Sequence, residues 1–98
     1  MVKAKRERAK TKISVKVLDG EKIARVNEIK VVVKGGKIFT FRISRPVLDA
    51  RKLVLHDERG SVVLVTSRSG LPRDIQVYFE RQGLEPLYIY PATQHSLV

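Results

Sequence analysis

The stretch EIKVVVKGGKIFTFRIS, residues Glu28–Ser44, decides the fold. Its apolar side chains recur at period two on both sides of Gly35-Gly36. Ile29, Val31 and Val33 share one face of the first run, with Glu28, Lys30, Val32 and Lys34 on the other. In the second run Phe39, Phe41 and Ile43 share a face, opposite Ile38, Thr40 and Arg42. Alternation of this kind is what a half-buried strand requires, and a Gly-Gly pair tolerates the positive φ of a tight connection. The stretch therefore predicts a β-hairpin.

Strand signals continue on both sides. Upstream, Ile13–Val17 alternates, Asp19-Gly20 supplies a turn, and Lys22–Val26 is expected to return as a second strand. Downstream, Arg45-Pro46 breaks the pattern because proline cannot donate to a ladder. Residues 46–51 read as a loop or a single helical turn. Lys52–His56 and Ser61–Thr66 then form a further hairpin around Asp57-Glu58-Arg59-Gly60. Within it the run VVLV, residues 62–65, has no polar alternation and is expected to be covered on both faces.

One helix is predicted. Pro72 stands at its start, Asp74 in its first turn, Arg81 in its last, and Gly83 follows as a stop. Ile75, Tyr78, Phe79 and Gln82 make its apolar stripe. Leu87–Tyr90 closes the pattern as a short strand. The expected fold is α+β and mostly β: a small, strongly bent antiparallel sheet or open barrel of about six strands, with one helix in the C-terminal half. Residues 1–12 read as a flexible basic arm, 13–92 as a single domain and 93–98 as a loose tail.

The arm, MVKAKRERAKTK, carries Lys3, Lys5, Arg6, Arg8, Lys10 and Lys12 against one acid, Glu7. It holds half of the formal charge of +10. A block of like charge cannot help build a core and is bound most strongly by a polyanion. The remaining residues hold 14 basic and 9 acidic side chains, so the domain itself stays positive. Alternation places Lys30, Lys34 and Arg42 on the face away from the phenylalanines. Lys37, Arg45, Arg51 and Lys52 add cations around the hairpin and the bend. A backbone-binding surface is favoured over a charged face that merely protects a sheet from aggregation.

Aromatic residues invite a second reading. The segment KIFTFRI, residues 37–43, mixes aromatics with cations like the base-stacking strand of RNA-recognition domains. That motif calls for glycine after the leading cation, where this chain has Ile38. Phe39 and Phe41 are expected in the core, and Tyr88 and Tyr90 in the core or at its rim.

No catalytic constellation competes with these features. His56 and His95 are the only histidines and neither has a metal-ligand spacing. Asp19 with Glu28-Ile29-Lys30 resembles the acidic and E-x-K elements of a nuclease superfamily whose carboxylates hold Mg²⁺. Asp19-Gly20 is better read as a turn. With no cysteine there is no disulfide framework and no thiolate metal site. No apolar run reaches the ~18–20 residues that cross a bilayer. Few Asn, Gln and Met among many charges fits a heat-adapted protein.

The reading is a cytoplasmic, non-enzymatic nucleic-acid-binding protein without cofactor, metal, membrane or small-molecule substrate. RNA is favoured over DNA, with neighbouring subunits of a ribonucleoprotein such as the ribosome as further partners. In general character the chain resembles small ribosomal proteins of heat-loving microbes. The alternatives are a DNA-coating architectural protein and a protein-interaction module that binds another chain along a sheet edge.

Overall fold

A computed structural model describes residues 12–92. The predicted arm, apart from Lys12, and the tail 93–98 lie outside the described residues. Strand outweighs helix, 40% to 17%, in a six-stranded sheet curled into a half-barrel. The mostly β class with one helix in the C-terminal half is as expected from the sequence.

The central hairpin forms as predicted. β2 (Glu28–Val33) and β3 (Ile38–Ser44) pair antiparallel, with Ile29 opposite Phe41 and Val31 opposite Phe39. Gly35 and Gly36 both have positive φ, 103° and 98°. The Gly36 N–H donates to the Val33 carbonyl at 2.9 Å, closing the turn. A side chain at either glycine would be strained by that backbone.

The remaining strands extend the sheet on either side. β4 (Lys52–His56) joins β3, and β5 (Val62–Ser67) joins β4, both antiparallel. β6 (Pro86–Pro91) lies antiparallel on the other side of β2. β1 (Lys16–Val17) then pairs with β6, and this pair is parallel. The order is β1-β6-β2-β3-β4-β5, with β1 and β5 at the edges.

Two local expectations are overturned. The segment after Asp19 does not return as a strand; Gly20–Ile23 forms a single helical turn, α1. Asp19 enters it at φ 55°, and Lys22 N–H donates back to the Asp19 carbonyl at 3.0 Å. The physical reason is burial. The turn drives Ile23 into the core at 1% exposure, whereas a strand would hold Ile23 and Arg25 on one face. The run 62–65 is likewise not covered on both faces. β5 is an edge strand, and Val62 (57% exposed) and Val65 (52%) stand on the open face in register with His56 and Val54, where no layer covers the sheet.

Helix α2 (Leu71–Glu80) lies across the concave face between β5 and β6, burying Leu71, Ile75, Gln76 and Phe79. Pro72 lies at its start, where a missing N–H costs nothing. Gly83 ends it at φ 75°, with Leu84 N–H donating to the Phe79 carbonyl at 3.0 Å. Phe79 is fully buried and is the hub of the aromatic packing. Its ring centroid lies 5.1 Å from Phe39, 6.0 Å from Phe41 and 5.1 Å from Tyr78, all edge-on. Phe39 and Phe41 are thus core residues, as predicted from their shared face with Ile43.

The expected stripe residue Gln82 falls beyond the helix and is exposed, while Gln76 is buried in its place. Gln76 has a specific task there. Its Oε1 accepts from the backbone N–H groups of Ser14, at 2.8 Å, and Val15, at 3.1 Å. Its Nε2 donates to the Lys12 carbonyl at 2.7 Å and to Glu80 Oε2 at 3.1 Å. One buried amide therefore satisfies backbone groups of Lys12, Ser14 and Val15, a stretch that has no strand partner among the described residues.

The β4–β5 turn is tied by Asp57. Its Oδ1 accepts from Ser61 N–H and Arg59 N–H, each at 2.9 Å. The Ser61 bond holds the carboxyl below its ordinary 3.8; desolvation opposes it, and the Arg59 N–H, the Arg59 charge and the Gly60 N–H add to the lowering.

Candidate nucleic-acid interface

Period-two alternation in a sheet covered on one side by a helix leaves the opposite face to solvent. Register reads that face directly. One row runs Lys16, Tyr88, Val32, Ile38 across β1, β6, β2 and β3. The next runs Tyr90, Lys30, Thr40, and a third runs Glu28, Arg42, His56. Lys52 stands opposite Ser67 at the far side. Lys16, Lys30, Arg42 and Lys52 thus share a surface with two tyrosines. Among these outward strand positions only Glu28 is acidic.

Several of these groups are held in place. Lys30 Nζ donates to Thr40 Oγ1 across the hairpin at 3.0 Å. His56 lies beside Arg42 with Nδ1 3.3 Å from the Gly60 carbonyl and Nε2 2.8 Å from Ser44 Oγ. A carbonyl only accepts, so in the neutral ring Nδ1 carries the proton and the Ser44 hydroxyl donates to Nε2. Ser44 is exposed and His56 half-buried, and both lie on the open face. The evident effect of the pair is to fix the imidazole next to the guanidinium. Tyr88 is 42% exposed and Tyr90 half-buried, so the two tyrosines sit on the open face and not in the core.

The other sequence-predicted cations divide among different places. Lys34 lies past the end of β2, its Nζ 3.9 Å from Glu85 Oε1. Lys37 turns to the helix side, 5.1 Å over the Phe39 ring. Arg45 is structural: its Nη2 lies 3.2, 2.9 and 3.0 Å from the carbonyls of Ile23, Ala24 and Val26. A cation there satisfies the carbonyls left open where α1 ends. Lys3, Lys5, Arg6, Arg8 and Lys10 lie outside the described residues. Lys12 is exposed at the point where its carbonyl is anchored to α2.

Arg45 and Arg51 meet a residue the sequence reading passed over. With Arg68 they line a cleft of about 560 Å³ that also contains Ser67 and Ser69 but no carboxylate. Neither Arg51 nor Arg68 makes a salt bridge among the described residues. Ser67 is also the register partner of Lys52. The basic surface therefore runs from the open face round the end of β4 and β5 into this cleft.

Comparison with known protein families, with curated proteins and with solved structures finds no match.

The chemistry available is ionic and stacking. Guanidinium and ammonium groups can meet phosphate oxygens, and an exposed tyrosine offers a ring to an unpaired base. Among the described residues no three of His, Asp and Glu gather as they would to hold a metal ion. No helix among them is long and apolar enough to cross a membrane. Lys16 was visible in the alternation of Ser14–Val17. Arg68 carried no local signal, since its neighbours in the cleft are brought there only by the curl of the sheet.

Proposed function

We propose that this chain is a non-enzymatic RNA-binding component of a cytoplasmic ribonucleoprotein such as the ribosome. The observation that carries this reading is the open sheet face, where Lys16, Lys30 and Arg42 lie around Tyr88 and Tyr90, Lys52 lies farther along the same face, and Glu28 is the single acid among these positions. Cations hold phosphates without regard to sequence, and the tyrosines suit bases that are unpaired or splayed out, which structured RNA presents and regular duplex DNA does not. The arginine cleft extends the same surface. The arm supplies further cations, joined to the body at Lys12 through Gln76.

Sedimentation of cell extracts, with and without RNase, tests the proposal. The protein is expected in the fast-sedimenting ribonucleoprotein fractions, moving to the top of the gradient after RNase. A protein at the top of the gradient before RNase contradicts it. Binding to duplex DNA as tight as to structured RNA, at matched salt, would instead favour an architectural DNA-binding role.

A further inference from the structure

We propose that the groove between β5 and α2 docks an extended acidic segment of a partner protein, taken up as an additional strand along β5. The inference stands apart from the nucleic-acid reading, since its charged residues lie on the helix and not on the open face.

β5 is a sheet edge without the usual protection. Its six residues, VVLVTS, include no charge and no proline. Among the described residues, the regular part, Leu64–Ser67, pairs without interruption to Leu55–Lys52 on one side only. Its other side therefore presents alternate N–H and C=O groups free to pair with another chain, a liability that edges ordinarily blunt with lysine, proline or cover. The opposite edge is treated differently: β1 is two residues long, carries Lys16 and runs directly into α1.

Beside this edge lies a groove of about 500 Å³. Val63, Leu64, Val65, Val77 and Tyr78 give it an apolar lining, and Arg73 and Arg81 stand along it from the helix. Asp74 also lines it, but its Oδ2 already accepts the Thr66 hydroxyl at 2.6 Å. Neither Arg73 nor Arg81 forms a salt bridge among the described residues, and both are exposed. With two arginines against the one carboxylate of Asp74, the apolar channel keeps a positive balance and is complementary to a strand with acids on one face. It offers an apolar lining that a phosphate backbone cannot use.

The spacing specifies the occupant further. Arg73, Val77 and Arg81 fall four residues apart, so the two guanidinium groups spring from points about 12 Å apart along the helix. An extended strand covers about 13 Å in four residues, and residues two and four apart share a face. The fitting segment thus has acids at positions i and i+4, with an apolar residue at i+2 directed towards Val77.

The test uses the full chain and two labelled synthetic peptides of equal composition. One carries Asp-Thr-Val-Thr-Asp at its centre, and the other places the two aspartates three apart, on opposite faces. Fluorescence anisotropy should show the first binding roughly tenfold or more tightly than the second, and the Arg73→Glu/Arg81→Glu double variant losing about tenfold or more of that affinity. Both arginines are exposed, so the variant's melting temperature checks that it is folded. The first peptide should also slow amide exchange along Val62–Ser67. Equal binding of the two peptides overturns the proposal, as does affinity unchanged by the double reversal. Protection of Val62–Ser67 by RNA and not by the peptide overturns it too.

Discussion

Removing residues 1–11 is expected to flatten the salt dependence of RNA binding by about 3.5–4.5 units in log K against log salt. Five Lys/Arg are lost with them, and each phosphate contact contributes about 0.7–0.9 to that slope. At 0.1 M salt, relative to 1 M, this corresponds to roughly 3.5–4.5 orders of magnitude in affinity if all five reach phosphates. Fewer contacts shrink the two numbers together. The cut stops short of Lys12 for a structural reason: its carbonyl accepts from Gln76, which also holds Ser14 and Val15. With that anchor kept, the melting temperature should not move. Filter binding or anisotropy across a salt series, beside a thermal melt, reads both quantities. An unchanged slope would assign all binding to the folded body.

Phe79→Ala is expected to cost about 3–5 kcal/mol, which is a large part of the ~5–15 kcal/mol that holds a domain folded. The side chain is fully buried and touches three other rings, on β3 and on its own helix. Its loss leaves a cavity at the contact that holds α2 against the sheet. For a domain of this size the melting temperature should fall by about 15–30 °C. Leu48→Ala is the comparison, since Leu48 is 97% exposed at a loop tip and should change stability by less than about 0.5 kcal/mol. Similar melting temperatures for the two variants would contradict the placement of α2.

These two variants probe parts of the molecule that differ in how plainly the sequence announces them. The hairpin Glu28–Ser44 was legible because local rules agree there: alternation, β-branched and aromatic residues, and two glycines at the turn. The helix was legible from its ends, Pro72 and Gly83, more than from its stripe. From the same alternation came Lys30 and Arg42 on a shared open face. α1 was not legible, because its carbonyls are satisfied by Arg45, about twenty residues away. The edge position of β5 is hidden for a related reason. An uncharged apolar run reads as a buried central strand, and only the sheet order, which is set by non-local pairing, makes it an edge. Gln76 at an apolar helix position gave no hint that it would hold the segment leading to the arm. The cleft of Arg45, Arg51 and Arg68 depends on curl that no local pattern encodes.

The geometry also separates three surfaces that composition alone merges into one excess of positive charge. The open face and the arginine cleft form one continuous basic region. Lys12 is held at α2, on the helix side of the sheet, through Gln76. Arg73 and Arg81 belong to a third surface beside β5. If charge alone governed binding, these cations would be interchangeable.

That difference can be measured directly. The affinity of a structured RNA should be measured at about 0.1 M salt for Lys30→Ala/Arg42→Ala/Lys52→Ala and for Arg73→Ala/Arg81→Ala, each against the unaltered chain. The face variant is expected to lose about a hundredfold, with its salt slope flattened by about 2–3 units. The helix variant should lose only the few-fold due to reduced net charge. Equal loss per charge removed in the two variants would contradict the claim that the open sheet face is the RNA-binding surface.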